Sequence, residues 1–332
     1  MKFDFFIGID VSKNELDYSV VKAGVELFHF KAANNLDGIR AFVKMLKSKG
    51  GKPSNALFCM EHTGIYNNPL LNYCTKQKIA VWVEPAIQIK QFSGLQRGKN
   101  DRVDALRIAL YAYKNRGEVK LWEPKRYAVQ RLKYLLSVRS RIINVLKQLS
   151  IPLKEEKDFT DSRVYNAKMN SHSIKVLKRE IKDIEKEILL ILKEDKELSR
   201  MYNLVTSVEG IGMVTATCII ITTNEFKDIT EAKKFACYSG VAPFEHSSGT
   251  SIRGKTRVSR MANKTVKTLL HMAALSAIKM KGELRDYFER KVAEGKNKMS
   301  VINAVRNKLI QRIFAVIRDN RKYEKIYTNS LA

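Results

Sequence analysis

The N-terminal third of the chain alternates short apolar runs with stretches of helical spacing. Runs rich in β-branched and aromatic residues predict strands, and apolar residues that repeat every three or four positions predict helices between them. The predicted strands are Phe5–Val11, Leu16–Val21, Val25–Phe30, Ala56–Met60 and Ala80–Val83, and the predicted helices are Gly38–Lys49 and Pro69–Gln77. Three strands, a helix and then alternating strands and helices are typical of an α/β sheet domain.

The pattern becomes helical beyond Trp122-Glu123-Pro124. Apolar residues recur at helical spacing between Tyr127 and Leu149. A second segment has apolar residues at alternating gaps of three and four, which is the a/d seam of a coiled coil: Ile174, Leu177, Ile181, Ile184, Ile188 and Ile191. These two segments could fold back on each other as an intramolecular hairpin, or the seam could join a partner chain.

The last third of the chain is predicted to be mainly α-helical with loop insertions. Gly210 and Gly212 form a turn before the apolar helix Met213–Ile221, which fits either a helix-hairpin-helix that faces a phosphate or a plain connection between helices. The changes of pattern predict three parts: an α/β domain at 1–115, a helical coiled-coil region at 116–198 and a mainly α domain at 199–332.

Composition adds a strong preference for polyanions. The chain has 61 Lys and Arg against 34 Asp and Glu, a formal net charge of +27. Such a field attracts nucleic acid, although a ribosomal or membrane-surface protein can carry the same excess. Four scattered cysteines without a C-x-x-C pair predict neither a disulfide framework nor a zinc site. The apolar runs are too short for a signal peptide or a membrane span, so we expect a cytoplasmic protein without a membrane partner.

Four carboxylates stand out by their position. Asp10 and Glu61 each lie at the end of a predicted strand, and Asp101 and Asp104 lie one turn apart at the start of a predicted helix. Carboxylates from distant segments suit Mg²⁺ or Mn²⁺, and phosphoryl transfer on DNA commonly uses such metal sites. A simpler interpretation of Asp101 and Asp104 is that acids are favoured in the first turn of a helix. His62 could be a ligand or a base, or a residue that only packs or hydrogen-bonds.

At these residues the chain resembles the DEDD transposases of bacterial insertion sequences. The segments that look like the family's motif blocks are Ile7–Ser12, Glu61–Tyr66 and Lys99–Ala105, and the D-E-D-D signature falls on Asp10, Glu61, Asp101 and Asp104. The resemblance implies that these four acids are catalytic and bind Mg²⁺. It also implies an N-terminal domain with an RNase H-like fold, similar to the RuvC Holliday-junction resolvase.

A second part of the resemblance lies in the C-terminal third. The segment Phe235–Gly249 looks like the family's pattern that ends in Ser-Gly, which implies that Ser248 is a nucleophile, with Ser247 as the alternative. A serine oxygen that attacks a phosphodiester gives a covalent protein–DNA intermediate and a free DNA hydroxyl, so that strands can be exchanged and resealed without ATP. Without the family, Ser-Ser-Gly is only a flexible polar turn.

A long basic stretch free of acids follows Glu245. In a chain this basic we expect it to lie along a phosphate backbone. Where the family has a Gly-Asn pair and then Arg, this chain has Ala262, Asn263 and Lys267, and Lys replaces a fork-shaped phosphate ligand with a point charge. The residues predicted to bind nucleic acid, here and beside the acids, are Lys99, Arg102, Arg253, Lys255, Arg257, Arg260, Asn263, Lys264 and Lys267.

Together these features favour a DNA recombinase that excises and inserts an element. The resemblance implies donor and target DNA, a structured noncoding guide RNA, association with the bacterial nucleoid, and a homodimer or homotetramer in which the acids of one subunit face the serine of another. Two other functions fit part of the sequence. One is a metal-only nuclease such as a junction resolvase, which has no use for Ser248, and the other is a non-catalytic protein that binds DNA or RNA.

Overall fold

The computed structural model describes residues 3–93, 100–151, 160–248, 252–259 and 261–324. The chain forms two compact units, Met1–Pro124 and Lys125–Ala332. The first is a mixed sheet with helices, and the second is mainly helical, so the predicted α/β beginning and helical remainder are confirmed at this level. The finer division into three parts remains a prediction.

A five-stranded sheet forms the centre of the first unit. Its strands are β1 (Phe5–Val11), β2 (Glu15–Lys22), β3 (Val25–Ala33), β4 (Ala56–Glu61) and β5 (Ala80–Glu84), and its helices are α1 (Leu36–Ser48), α2 (Asn68–Lys76), α3 (Ala86–Ser93) and α4 (Asp101–Lys114). The spatial order is β3-β2-β1-β4-β5, with β1, β2 and β3 antiparallel and with β4 and β5 added in parallel to β1. The central strand is therefore β1, which has a neighbour on both sides.

Alternation along the strands divides the apolar residues between two faces of this sheet, because successive side chains of a strand point to opposite sides. Ile7, Ile9 and Phe58 pack with residues of α1 and α2 on one face. Phe6 and Cys59 pack with residues of α3 and α4 on the other. The sheet is thus covered by helices on both faces, which explains why its central strands are continuous apolar runs rather than half polar.

Gly8 allows α4 to approach the central strand very closely. A Cβ atom at this position would lie 2.1 Å from the carbonyl oxygen of Ala105 and 2.2 Å from the backbone nitrogen of Ala109. No side chain fits at such distances, so the absence of one at Gly8 sets how near the first turns of α4 come to the end of β1.

The second unit contains long helices and one small hairpin. Its helices are α5 (Tyr127–Ser150), α6 (Thr160–Glu194), α7 (Lys196–Thr206), α8 (Met213–Thr222), α9 (Ala232–Tyr238), α10 (Lys264–Lys279), α11 (Glu283–Ala293) and α12 (Lys298–Arg318), and its strands are β6 (Pro243–Ser248) and β7 (Ile252–Val258). A single apolar cluster joins residues from α5 to α12. The β6–β7 hairpin corrects the expectation of a loop at this position.

The predicted heptad seam lies on α6, which packs against α5 of the same chain. Arg131 pairs with Glu187 and Arg139 with Glu185, so ion pairs flank the contact between the two helices. Ile188 is buried at the C-terminal end of the seam, whereas residues further towards its N-terminal end are only half-buried. The intramolecular pairing therefore exists, and a coiled coil with a partner chain remains a prediction.

Three further observations bear on the sequence expectations. Gly210 has a φ of +81°, and a Cβ there would lie 2.5 Å from the carbonyl oxygen of Ala273, so the glycine turn is explained by close packing on α10. All four cysteines are free. Among the described residues, no helix is both long enough and apolar enough to cross a membrane.

Candidate active site

Asp10 and Glu61 lie side by side at the ends of two neighbouring parallel strands. The register of β1 and β4 pairs Ile9 with Met60, and Asp10 and Glu61 are the next residues of each strand. Asp10 has the same parity as Gly8, and Glu61 the same parity as Cys59, so both acids lie on the face that α4 covers. Two carboxylates 51 positions apart in the sequence are therefore adjacent in the fold.

Asp101 and Asp104 come to this edge of the sheet from α4. Asn100 caps the helix, because its side chain accepts a hydrogen bond from the backbone N–H of Arg102. Asp101 is then the first helical residue and is exposed, whereas Asp104 is half-buried one turn later. Ala105, the residue after Asp104, lies against Gly8 of β1, as does Ala109 one turn later. The close approach at Gly8 therefore holds the acidic start of α4 against the ends of β1 and β4.

The pKa values show that the acids interact. The pKa of Asp10 is raised to about 6, first by burial and then by the negative charges of Asp101, Asp104, Glu61 and, last, Asp17. The pKa of Glu61 is also raised, mainly by burial. Burial together with mutual repulsion makes it costly to ionise all of these carboxylates at once.

Two basic side chains, Arg107 and Lys90, partly balance this charge. Arg107 binds Asp104 at 2.6 Å within α4. The positive charge of Lys90 on α3 offsets part of the effect of burial on Glu61, whose pKa is still raised. Arg102, which was predicted to contact nucleic acid, is largely exposed and lies 4.0 Å from Glu26, at the limit of an ion pair. Arg102 is therefore free to turn towards another anion, whereas Arg107 is committed to the acidic site.

Asp17 is a fifth carboxylate at this site that the sequence reading missed. It lies directly opposite Asp10 in the antiparallel pairing of β1 and β2, and it is 6% exposed. Nε2 of His29 on β3 lies 2.9 Å from its Oδ1. The signal in the sequence was an acid within a strand whose neighbouring residues, Leu16 and Tyr18, are apolar and are buried on the other face of the sheet.

The loop that follows Glu61 is held by Asn67, which is also new to the site. The side chain of Asn67 is buried; its Nδ2 donates to the carbonyl oxygen of Glu61 at 2.8 Å, and its Oδ1 accepts from the backbone N–H of Thr63 at 2.9 Å. His62, in the same loop, is exposed and accepts a 3.4 Å hydrogen bond at Nδ1 from Gly64. Asn67 therefore fixes the backbone that carries Glu61.

The donor set fits a hard divalent cation by its chemistry, since four carboxylates supply only oxygen. Among the described residues, however, no three side chains of Asp, Glu, His or Cys stand close enough together to form a ready-made metal site. The acids therefore share one edge of the sheet without being drawn together into a cage. Binding an ion here requires side-chain rotation, which like charges oppose until a cation arrives.

Ser248 is the last residue of β6, where it pairs with Ile252 across the hairpin. Ser247 pairs with Arg253, and residues 249–251, including Gly249, lie outside the described residues. The predicted nucleophile thus lies at the end of a strand, where Ser-Ser-Gly by itself predicted only a flexible polar turn.

The predicted nucleic-acid residues have several different settings. Asn263 caps α10 through the backbone N–H of Val266 and donates from Nδ2 to the hydroxyl of Tyr238, so its side chain is already engaged within the unit. Lys264 is exposed and Lys267 is half-buried on the same helix. The remaining positions on the hairpin are Arg253, Lys255 and Arg257, all on β7, while Lys99 and Arg260 lie outside the described residues.

Comparison with known proteins relates both parts of the chain to transposases. One family model, described as a transposase of the DEDD type of IS110, matches residues 7–155, and a second, described as the transposase of the IS116/IS110/IS902 family, matches residues 202–289. The pilin gene-inverting protein of Moraxella bovis is 25% identical over 324 residues, which are 96% of this chain and 98% of that protein. A 43.6 kDa protein of insertion element IS110 from Streptomyces coelicolor is 31% identical over 119 residues, 36% of this chain and 29% of that protein.

Among solved structures, RuvC of Thermus thermophilus in complex with a Holliday junction substrate is similar to 35% of this chain and to 98% of its own length, with 16% identity and a TM-score of 0.27. The two family models match the chain in the order in which its acidic and serine motifs occur. The pilin gene-inverting protein is similar to this chain over nearly its whole length, so the similarity spans both of the matched regions. The chain therefore belongs to the IS110/IS116/IS902 family of transposases, enzymes that recombine DNA.

Proposed function

We propose that this transposase excises and inserts its element with two sets of residues: an acidic set that binds divalent metal ions, and Ser248 as the nucleophile. The observation that carries the proposal is the convergence of Asp10, Glu61 and Asp104 on one face of the sheet from β1, β4 and α4. The positions of Asp10 and Glu61 near the ends of β1 and β4 also support the RNase H-like fold that the family resemblance implies.

The four acids of the signature hold the metal in this proposal. When bound, Mg²⁺ or Mn²⁺ would neutralise charge on the scissile phosphate and activate the attacking oxygen. Asp10 contributes at the centre of the sheet, and its raised pKa means that it must lose a proton before it can serve as a ligand. Asn67 and Gly8 act as positioning residues, since one fixes the strand end that carries Glu61 and the other admits α4.

Ser248 carries the covalent step. Its oxygen forms a bond to the phosphorus, and the bond from that phosphorus to a deoxyribose oxygen breaks. The serine proton passes to water or to a carboxylate, and the departing DNA oxygen takes up a proton. One phosphodiester replaces another, so a DNA hydroxyl can later attack the serine-linked phosphate and reseal a new pair of strands.

Donor and target DNA are the substrates, and a structured noncoding RNA guides the choice of both. A net charge of +27 is sufficient to bind two polyanions together. The active form is a homodimer or homotetramer in which the acids of one subunit act with the serine of another. The apolar seam on α6, half-buried over much of its length, supports such self-association.

The first test is a denaturing gel of protein incubated with Mg²⁺, the flanking transcript and labelled DNA that spans the joined ends of its own element. The wild type should give a slow, protease-sensitive covalent band. Ser248→Ala should lose this band, whereas the matched variant Ser247→Ala should keep it. Asp10→Asn and Asp104→Asn should lose cleavage but retain most of their DNA affinity.

Each other outcome has a definite meaning. If the wild type cuts without a covalent band and Ser248→Ala cuts equally well, the protein is a metal-only nuclease and the serine step is wrong. A covalent band that disappears with Ser247→Ala alone moves the nucleophile by one residue. Full cleavage by both acid variants would contradict the acidic site.

A further inference from the structure

Arg306 is a buried cation in the second unit that no part of the proposed chemistry uses. It lies on α12 and is 7% exposed. Among the described residues, no carboxylate lies within ion-pair distance of its guanidinium, and its buried Nε has no hydrogen-bond partner. A guanidinium cannot escape burial by losing its proton, so an arrangement of this kind is costly unless an anion completes it.

The polar neighbours of Arg306 are all neutral. Its Nη2 lies 2.7 Å from Nδ1 of His271 on α10 and 3.7 Å from the sulfur of Met299, and its Nη1 lies 3.5 Å from Oδ1 of Asn303. Two of these contacts are long or weak, because sulfur is a poor acceptor and 3.5 Å is at the limit of a hydrogen bond. The cation therefore keeps unused capacity to interact with an anion.

Another arginine on the same helix, Arg312, has the partners that a largely buried guanidinium usually has. The side chain of Arg312 is 13% exposed, and it pairs with Glu283 and lies 4.7 Å from the ring centroid of Tyr323. Its charge is thus met by a carboxylate and an aromatic ring within the unit. Arg306, two turns away on α12, has neither kind of partner among the described residues.

The contact with Arg306 determines which ring nitrogen of His271 carries the proton. A guanidinium nitrogen can only donate, so Nδ1 of His271 must accept and the ring proton must be on Nε2. Burial and the charge of Arg306 lower the pKa of His271, which keeps the ring neutral. His271 is half-exposed, and its Nε2–H has no hydrogen-bond partner among the described residues. It is therefore a donor available to an incoming acceptor.

The surroundings of His271 are cationic. Lys264, Lys267 and His271 follow each other at spacings of three and four on α10, which places them on one helical face. Asn303 of α12 donates to the carbonyl oxygen of Val241, which lies just before β6. The Arg306–His271 pair thus belongs to the same part of the unit as the basic residues of α10 and the base of the serine hairpin.

We infer that His271 and Arg306 form a binding site for one backbone phosphate of the bound nucleic acid. His271 donates from Nε2–H to a phosphate oxygen, and Arg306 lies behind it, supplies the positive charge and holds the tautomer. Arg306 is therefore a positioning residue and His271 the contact. This inference rests on the proposed function only in that it requires a nucleic-acid ligand; it needs neither the metal site nor the serine.

The test measures affinity and its salt dependence in EDTA, where no cleavage occurs. Labelled duplex DNA of arbitrary sequence forms one arm and labelled single-stranded RNA the other, with wild type, Arg306→Met, Arg306→Lys, His271→Ala and Arg312→Met. Arg306→Met should weaken binding about tenfold at moderate salt and lower the salt slope by about one, because the one positive charge that neutralises this phosphate is lost. Arg306→Lys keeps the charge and should retain most of the slope.

The other variants make the result decisive. His271→Ala removes a neutral donor, so it should weaken binding while leaving the slope nearly unchanged. Arg312→Met removes a paired charge and should leave affinity and slope as in the wild type. The arm that loses affinity identifies the phosphate as that of DNA or of RNA.

Two results would overturn the site. One is wild-type affinity and slope for both Arg306→Met and His271→Ala in both arms; the other is an equal loss in Arg312→Met, which would mean that any buried charge on α12 matters. If Arg306→Met does not fold, His271→Ala decides alone, because its side chain is half-exposed. A failure of the acidic site would show in cleavage by Asp10→Asn and would leave these affinities untouched.

Discussion

Asp17 lies directly opposite Asp10 on the neighbouring antiparallel strand, and both side chains are on the sheet face that α4 covers. Cross-strand partners on one face are among the nearest neighbours a sheet allows, and like charges there repel. Oδ1 of Asp17 lies 2.9 Å from Nε2 of His29, whereas Asp10 has no hydrogen-bonding or ion-pair partner among the described residues. Burial is the main cause of the raised pKa of Asp10, and the charges of Asp101, Asp104, Glu61 and, last, Asp17 raise it further.

Ionisation of Asp10 should therefore lower the free energy of unfolding in a pH-dependent way. Because the pKa of Asp10 is about 6 in the folded protein and 3.8 in the unfolded chain, the folded state binds its proton more tightly. The proton on Asp10 therefore stabilises the folded state fully at a pH below 3.8, and this stabilisation is lost as the pH rises through about 6. In EDTA, Asp10→Asn should therefore be more stable than wild type at neutral pH by about 1–2 kcal/mol, after allowance for its partial exposure.

Urea unfolding in EDTA on either side of this interval measures the effect. The advantage of Asp10→Asn should vanish at a pH below the lower pKa, and Glu123→Gln, which changes an exposed carboxylate, should show none at either pH. Added Mg²⁺ should stabilise the wild type and not Asp10→Asn. An equal response of both proteins to Mg²⁺ would contradict the assignment of Asp10 as a ligand.

Gly8→Ala should separate α4 from the sheet. The added Cβ would meet the backbone of Ala105 and Ala109, which cannot rotate away. Overpacking of this kind costs about 1–3 kcal/mol, and the shift should carry Asp104 away from Asp10. We expect a lower midpoint of thermal unfolding and a loss of Mg²⁺-dependent cleavage. Gly117→Ala, where nothing lies within 4 Å, is the matched control and should be indistinguishable from wild type in both measurements.

Asn67→Ala should loosen the loop that follows Glu61. Three hydrogen bonds end on this side chain, to Glu61 and Thr63, and the partners left behind are part-buried. The expected cost is about 1–3 kcal/mol of unfolding free energy, together with slower cleavage at unchanged DNA affinity. Asn14→Ala, an exposed asparagine, serves as control. Wild-type cleavage by Asn67→Ala at saturating Mg²⁺ would show that the loop needs no such support.

Arg126→Met should strongly destabilise the second unit. Arg126 pairs with Asp195 and with Glu225, whose side chain is 2% exposed. Removing the cation leaves Glu225 as a buried charge paired only with Lys227, and breaking such a pair costs about 3–5 kcal/mol. Arg126→Met combined with Glu225→Gln should recover part of this loss in chemical unfolding. Arg200→Met, in an exposed pair with Glu197, should cost less than about 1 kcal/mol.

Much of the fold followed from local pattern. The predicted helix Met213–Ile221 ends one residue short of α8, and the predicted strand Phe5–Val11 matches β1. Local pattern did not predict the β6–β7 hairpin, because Ser247, Ser248 and the neighbouring residues have weak strand propensity. Their extended conformation comes from pairing with β7, and a pairing between strands cannot be read from one segment alone.

The sequence by itself determined which residues can carry charge and where strands and helices begin, because these depend on side-chain type and on periodicity within a few residues. It could thus place Asp10, Glu61 and the acids of α4 at element ends. Tertiary structure alone decided that Asp17 faces Asp10 and that Arg306 meets His271 without a carboxylate. Such relationships depend on strand register and on helix packing, which join residues far apart in the chain and are set by the whole core rather than by any local segment.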